Sequence, residues 1–162
     1  MLKKSMESAL NRQINRELYS AYLYLSMSAC LESLSLKGFA HWLMVQAHEE
    51  QTHAMKMYDY LIDKGAVITL SAIDAPRTKW TNPREVFEDV LAHEQKVTGF
   101  INELVDLALR ENDHASNNFL QWFVAEQVEE EKNAGDILGK IRMTADVPGN
   151  LFILDQELGK RQ

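Results

Sequence analysis

Glu17 stands between Ile14 and Ala21, three and four residues from each, on a stretch whose other inward positions are apolar. The same interruption recurs three times further along. Glu50 follows Ala47 and precedes Ala54, with His53 one helical turn on; Glu94 falls between Leu91 and Val97; Gln127 and Glu130 lie between Phe123 and Ala134. Steps of three and four residues share one face of an α-helix, so each acid belongs to the face that should be buried. Glutamate is almost never fully buried without a partner. Converging carboxylates repel unless several hold protons or cations lie among them. The bland alternative is that these glutamates point to solvent or pair with Arg and Lys, but no Arg or Lys sits at the same height on the seams.

Four carboxylates and one imidazole, without sulfur, form a hard-to-borderline donor set suited to Fe(II), Fe(III) or Mn(II). Glu50 and His53, at i and i+3, face the same way and can hold one ion together. Shared carboxylates hold two ions roughly 3.5–4 Å apart. The chemistry this permits is reduction of dioxygen by two irons, each giving one electron. The run HEEQTH is not a zinc-protease HExxH, because position 52 is threonine. His48 and His93 adjoin key glutamates but lie on different faces, since each residue turns the helix by about 100°; both read as surface or packing histidines.

Four long helices must position these groups, with apolar spacing over about 5–34, 36–64, 83–110 and 114–143. The inner faces are marked by Leu10, Ile14, Leu18, Ala21, Leu25 and Ala29, then Leu43, Ala47, Ala54, Met57 and Leu61. The third helix has Phe87, Leu91, Val97, Ile101, Val105 and Ala108, and the fourth has Phe119, Phe123, Ile137 and Ile141. Ser35 reads as the cap of the second helix, which Gly65 ends. Asn82-Pro83-Arg84-Glu85 reads as a capping box with proline at the first helical position. Asn112 and Asp113 supply a turn and a cap. A short helix over about 150–159 ends the pattern. The link from Gly65 to Thr81 has no helical period, and Pro76 breaks it further. Extended, its roughly 17 residues reach about 56 Å, enough to cross a bundle of helices about 42–45 Å long. The expected fold is all-α, one domain, an up-down-down-up four-helix bundle with one long crossover and a short C-terminal fifth helix.

Heights follow from the turns. Glu17 lies about 18 residues before Ser35 and His53 about 18 after it; Glu94 and Glu130 stand at the same distance either side of Asn112. In antiparallel helices equal distance from the turn is equal height, so these groups should meet in one layer near mid-bundle.

Bulk properties narrow the class. A net charge of −7 argues against nucleic acid and suits a protein that attracts cations, although it also serves solubility. The single cysteine, Cys30, allows neither a disulfide framework nor a thiolate site and reads as a small buried hydrophobe. No signal-peptide core and no membrane-length apolar run appears, which leaves a cytoplasmic location as the default expectation.

The runs NRELYSAYLYLSM, HEEQTHAMKMYDYL, LAHEQKVT and EQVEEEKN together resemble the bacterial non-haem ferritins, of the ferritin A type, over essentially the full length. That resemblance implies a ferritin-like fold and an iron-storage protein whose diiron centre oxidises Fe(II) with dioxygen or peroxide. It implies Glu17, Glu50 and His53 at the first iron and Glu50, Glu94 and Glu130 at the second. Gln127 would be a hydrogen-bonding neighbour and Tyr24 a tyrosine beside the centre. A third iron would fall to Glu49, Glu126 and Glu129, sharing Glu130. The resemblance further implies a homo-oligomeric shell of 24 subunits holding ferric mineral, with the fifth helix lining its channels. Leu151, Phe152, Ile153 and Leu154 need somewhere to be buried, which a neighbouring subunit would provide. Haem is not expected: the fourth helix carries Gln127 where bacterioferritins have a second ExxH, and Gln51 follows Glu50 where a haem-ligating methionine would stand. Rubrerythrin would need CxxC pairs, and a DNA-protecting mini-ferritin would lack the fifth helix. A catalytically silent bundle that only sequesters metal is the competing class.

Overall fold

Residues 2–162 are described by a computed structural model as five helices: α1 Lys4–Ser33, α2 Lys37–Asp63, α3 Pro83–Arg110, α4 His114–Met143 and α5 Pro148–Leu158. The boundaries differ from the sequence reading by no more than the fraying expected at helix ends, except that α5 starts earlier. Pro148 takes its first turn, where a missing N–H costs nothing.

Adjacent helices are antiparallel, as their contacts show. On α1 and α3, Arg16 meets Phe100 while Ser20 meets His93; on α2 and α4, Gln46 meets Glu130 while Tyr60 meets Ser116. α2 and α3 therefore run the same way, and the long link must climb the whole bundle. It does so along α1. Asn11 donates to Val67 O at 2.8 Å and accepts from Thr69 N at 2.7 Å. Higher up, Asn15 donates to Ser71 O and Ala72 O, Ser26 to Arg77 O, and Cys30 Sγ accepts from Trp80 N. Polar residues on the outer side of α1 thus satisfy an otherwise unpaired backbone. Cys30 is half-buried at this seam rather than a core hydrophobe.

Three turns use the same left-handed device. Ser35, Gly65 and Asn112 have φ of 62°, 64° and 54°. In each, the next residue's N–H reaches back to the last helical turn: Leu36 to Leu31 O, Ala66 to Leu61 O, Asp113 to Ala108 O. Ser35 is thus the terminator of α1, not the cap of α2. Asp113 does cap α4, accepting from Ser116 N at 3.1 Å, and Asn82 caps α3, accepting from Glu85 N at 2.9 Å. Glu85 reaches back to Thr81 N and Oγ1 rather than to Asn82 N, a capping box shifted by one residue.

α2 has no cap from its own neighbourhood. The buried Asp155 of α5 supplies it, accepting from Gly38 N at 2.8 Å and Phe39 N at 3.0 Å. A carboxylate there also meets the positive end of the helix dipole. Gly38 is required, because a Cβ would lie 1.6 Å from Asp155 O.

The interior is two apolar clusters. One holds Tyr24, Met27, Leu31, Phe39, Leu43 and Phe87; the other holds Met6, Leu10, Ile14, Met57, Leu61, Ile101 and Leu120. Every long helix passes from one cluster to the other across the acidic positions. Some expected inner residues sit at the margin: Leu18, Leu25, Leu91, Val105 and Phe119 are half-buried and Ala29 is exposed, while Tyr24, Ser28, Val90, Leu104 and Leu120 are buried. A 3.6-residue period drifts off any fixed three-four ladder over eight turns, so the ladder slips by a residue along each helix.

Replacing Asp155 by Ala leaves two N–H groups of α2 without a partner, a loss of about 1–3 kcal/mol. Amide exchange over residues 148–158 should then accelerate by at least tenfold while α1–α4 stay protected. Protection of α5 equal to wild type would show that this carboxylate does not hold it.

Candidate metal centre

Between the two clusters lie Glu17, Glu50, His53, Glu94, Gln127 and Glu130, each no more than 5% exposed. One ligand atom each from Glu17, Glu50 and His53 lies within 4.8 Å of the others, and the same holds for His53, Glu126 and Glu130. His53 joins the two groups. Its Nδ1 is 3.4 Å from Glu50 Oε2, and its Nε2 is 4.0 Å from Glu126 Oε1. Trp122 and Phe123 meet its ring edge-on.

Amide and phenol donors hold the carboxylates. Gln13 Nε2 donates to Glu17 Oε1 at 2.7 Å. Gln46 Nε2 bridges two acids, donating to Glu50 Oε1 at 3.0 Å and Glu130 Oε2 at 2.8 Å. Tyr24 Oη donates to Glu94 Oε1, and Gln127 Nε2 to Glu94 Oε2 at 3.1 Å. Gln13 and Gln46 were missed in the sequence. Their signal is there, since each precedes its glutamate by four residues, the spacing at which side chains pair on a helix.

Burial pushes every one of these acids up. Glu17 and Glu50 stand well above the usual carboxylate range, first from burial and then from mutual repulsion within the layer. Glu94 rises for the same first reason, opposed by its bonds from Tyr24 and Gln127. Glu130 is pushed up to about 8 by burial and then by the Glu94 charge. Tyr24, buried beside Glu94, is held firmly protonated. The donor bonds favour the ionised forms but do not overcome desolvation. Among the described residues no Lys or Arg pairs with Glu17, Glu50, Glu94 or Glu130. The set therefore fits cations chemically: oxygen donors and one imidazole, poorly neutralised by anything but protons.

The outer acids behave differently. Glu126 is half-buried beside His53, and Glu129 is exposed. Glu49 turns from the layer to Arg161, Oε2 to Nη2 at 2.5 Å. Of the two histidines set aside, His48 is exposed. His93 packs edge-on against Tyr24 and bonds Ser20 Oγ at 2.7 Å; burial, then Lys96, drives its pKa down to about 4.

A family model described as the ferritin-like domain matches residues 7–144. The chain belongs to the ferritin family. A "bacterial non-heme ferritin" of Bacteroides fragilis (strain 638R) is 43% identical over 161 residues, spanning 99% of this chain and all of its own. One of the same description from Escherichia coli O6:H1 is 39% identical over 158 residues, covering 98% of this chain and 96% of its own. Among solved structures, an open-pore ferritin from the hyperthermophilic archaeon Archaeoglobus fulgidus superposes with a TM-score of 0.99 at 49% identity, over the full length of both chains. The up-down-down-up bundle with a short fifth helix is thus a ferritin fold, and the kinship is with bacterial non-haem ferritins, which are iron-storage proteins.

Raised carboxyl pKa values mean that the folded ferritin without metal binds more protons than its unfolded chain. The stability held in protonated Glu130 is fully present below about 4.5 and is lost as pH rises through about 8. Thermal unfolding of metal-free protein should therefore fall in midpoint between those pH values, and added Zn(II) should flatten the decline. A midpoint that rises across this interval would contradict the buried layer.

Proposed function

We propose that this ferritin is a ferroxidase, its substrates being Fe(II) and dioxygen or hydrogen peroxide, and that it stores the ferric product as mineral within a homo-oligomeric shell. The observation that carries the reading is the buried layer of four carboxylates, one from each long helix, with no Lys or Arg paired to it among the described residues. Glu17, Glu50 and His53 would take the first Fe(II), and Glu50, Glu94 and Glu130 the second, Glu50 being shared. Their positions between the apolar clusters support this, as does the gathering of Glu17, Glu50 and His53 within 4.8 Å of one another; Glu130 gathers with His53 and Glu126, and Glu94 stands in neither group. Glu126 and Glu130, with Glu49 and Glu129 beyond them, would form an outer third site.

Each part of the layer has work to do in such a reaction. The glutamates hold protons while no metal is bound and release them when Fe(II) arrives. Two Fe(II) give one electron each; dioxygen takes both electrons with two protons and leaves as hydrogen peroxide. With hydrogen peroxide as the oxidant, the same two electrons and two protons yield two waters. Gln46, Gln13 and Gln127 keep the carboxylates aimed, so little reorganisation is needed as charge builds. Tyr24 stays protonated and donates to one oxygen of Glu94 while Gln127 donates to the other, so both fix the orientation of that carboxylate.

Storage needs copies of the chain. Phe152 and Ile153 are 64% and 68% exposed, whereas Leu154 is buried against the bundle, so α5 spends one face internally and offers the other. Association of copies through that face, in a shell of 24, is part of this proposal. So is a cytoplasmic setting, which the free thiol of Cys30 suits; no helix among the described residues is long and apolar enough to cross a membrane.

Aerobic addition of Fe(II) to metal-free protein tests the activity. Rapid oxygen uptake with iron retained in a soluble assembly is expected; oxidation at the buffer rate with no retained iron would leave only a silent bundle. Glu50→Ala and Glu130→Ala should each slow initial oxidation at least tenfold while the size-exclusion profile stays that of wild type. Unchanged rates in either variant would reassign the centre.

A further inference from the structure

Arg161, three residues beyond the last helix, lies against the metal centre. Its backbone oxygen bonds His41 Nε2 at 2.8 Å, and its guanidinium covers the Trp42 ring at 4.1 Å. Nη1 donates to Trp42 O at 3.2 Å and to Gln46 Oε1 at 2.9 Å, and Nη2 donates to Glu49 Oε2 at 2.5 Å. Only 18% of the Arg161 side chain is exposed. Glu49 is 41% exposed, but the Arg161 end is enclosed, stacked on Trp42 and bonded to three acceptors, which sets this contact apart from an ordinary surface ion pair.

Its partners tie it to the chemistry. Gln46 is the amide that bridges Glu50 and Glu130. Arginine can only donate, so the Gln46 oxygen faces Arg161 and the amide N–H groups face the two acids. Glu49, next in sequence to Glu50, is the outer acid that Arg161 neutralises. The guanidinium therefore occupies Glu49 Oε2, an oxygen that a cation on this acid would need. Its own docking depends on α5, which Asp155 pins to the start of α2.

We propose that Arg161 is a tethered cation that occupies the outer carboxylate Glu49, so that a third metal ion binds there only when the segment after α5 lifts away. This rests on the outer third site proposed in the preceding section. It makes occupancy of the outer site conditional on how α5 and its following residues are seated, and so links assembly to metal loading. Arg161 is a positioning residue in this scheme, acting through Glu49 and Gln46 and touching no substrate itself.

Calorimetric titration of the assembled, metal-free protein with Zn(II) separates the outcomes. Wild type and Arg161→Lys should bind two ions per subunit tightly. Arg161→Met, which keeps the stem over Trp42 but loses the charge, should gain a further equivalent or bind it at least tenfold more tightly. Adding Glu49→Gln to Arg161→Met should remove that gain. Glu49→Gln alone should match wild type, because a neutralised Glu49 is not a ligand; this variant decides the matter if Arg161→Met does not assemble. Three equal tight sites in wild type, loss of an ion in Glu49→Gln alone, or an unchanged Arg161→Met would each overturn the role of Arg161 while leaving the two-ion centre standing. No saturable Zn(II) binding in wild type would instead bring down the centre, and this inference with it.

Discussion

Four carboxylates held in a dry interior at one level are the constraint around which this molecule is arranged. Ionised together without counter-ions they would repel across short distances in a medium that screens poorly. Burial and then mutual repulsion raise their pKa values above the ordinary range, so the fold tolerates them by leaving protons on them. Protons satisfy the charge but not the geometry: Glu17, Glu50 and Glu130 each place an oxygen within 4.8 Å of one imidazole, an arrangement that multivalent cations would complete. On the proposed reading, stability and chemistry pull on the same residues in opposite directions, and bound metal would reconcile them.

The rest of the architecture is what such a layer requires. Apolar clusters on both sides carry the stability that the layer cannot, and they exclude water from its ends. Two tight turns with left-handed residues, Ser35 and Asn112, set the helices in register, so that acids separated by more than thirty residues in the chain meet at one height. The crossover lets two hairpins stack with all neighbours antiparallel, and α1 compensates its backbone with Asn11, Asn15 and Ser26. Glutamines then fix the carboxylates. α5 closes the open end of α2 and carries Arg161 to the layer's outer margin.

Much of this was legible in the chain because its strongest signals are periodic. Apolar spacing located four long helices, Asn82 and Asp113 announced their helices, and equal distances from two turns brought the acids together. Failures came where contacts are remote in sequence. Ser35 looks like a cap by its side chain, but its backbone ends the preceding helix, and the true cap, Asp155, comes from more than a hundred residues away. The partnership of Glu49 with Arg161 has the same character. No local pattern marks it, and treating Glu49 only as an outer acid overlooks its counter-ion. Gln13 and Gln46 were readable in principle, as glutamines four residues ahead of buried acids. The slip of the inner face toward Tyr24, Val90 and Leu104 reflects helical drift that a fixed ladder does not follow.

Anaerobic calorimetry with Fe(II), repeated at neutral pH in buffers of different ionisation enthalpy, counts both the metal bound and the protons expelled. Buried acids that wait protonated should give two tightly bound Fe(II) per subunit with net release of protons, so that the observed heat varies linearly with buffer enthalpy. Heats that do not depend on the buffer would mean that the carboxylates were already ionised and solvated, and that the layer is not the constraint described.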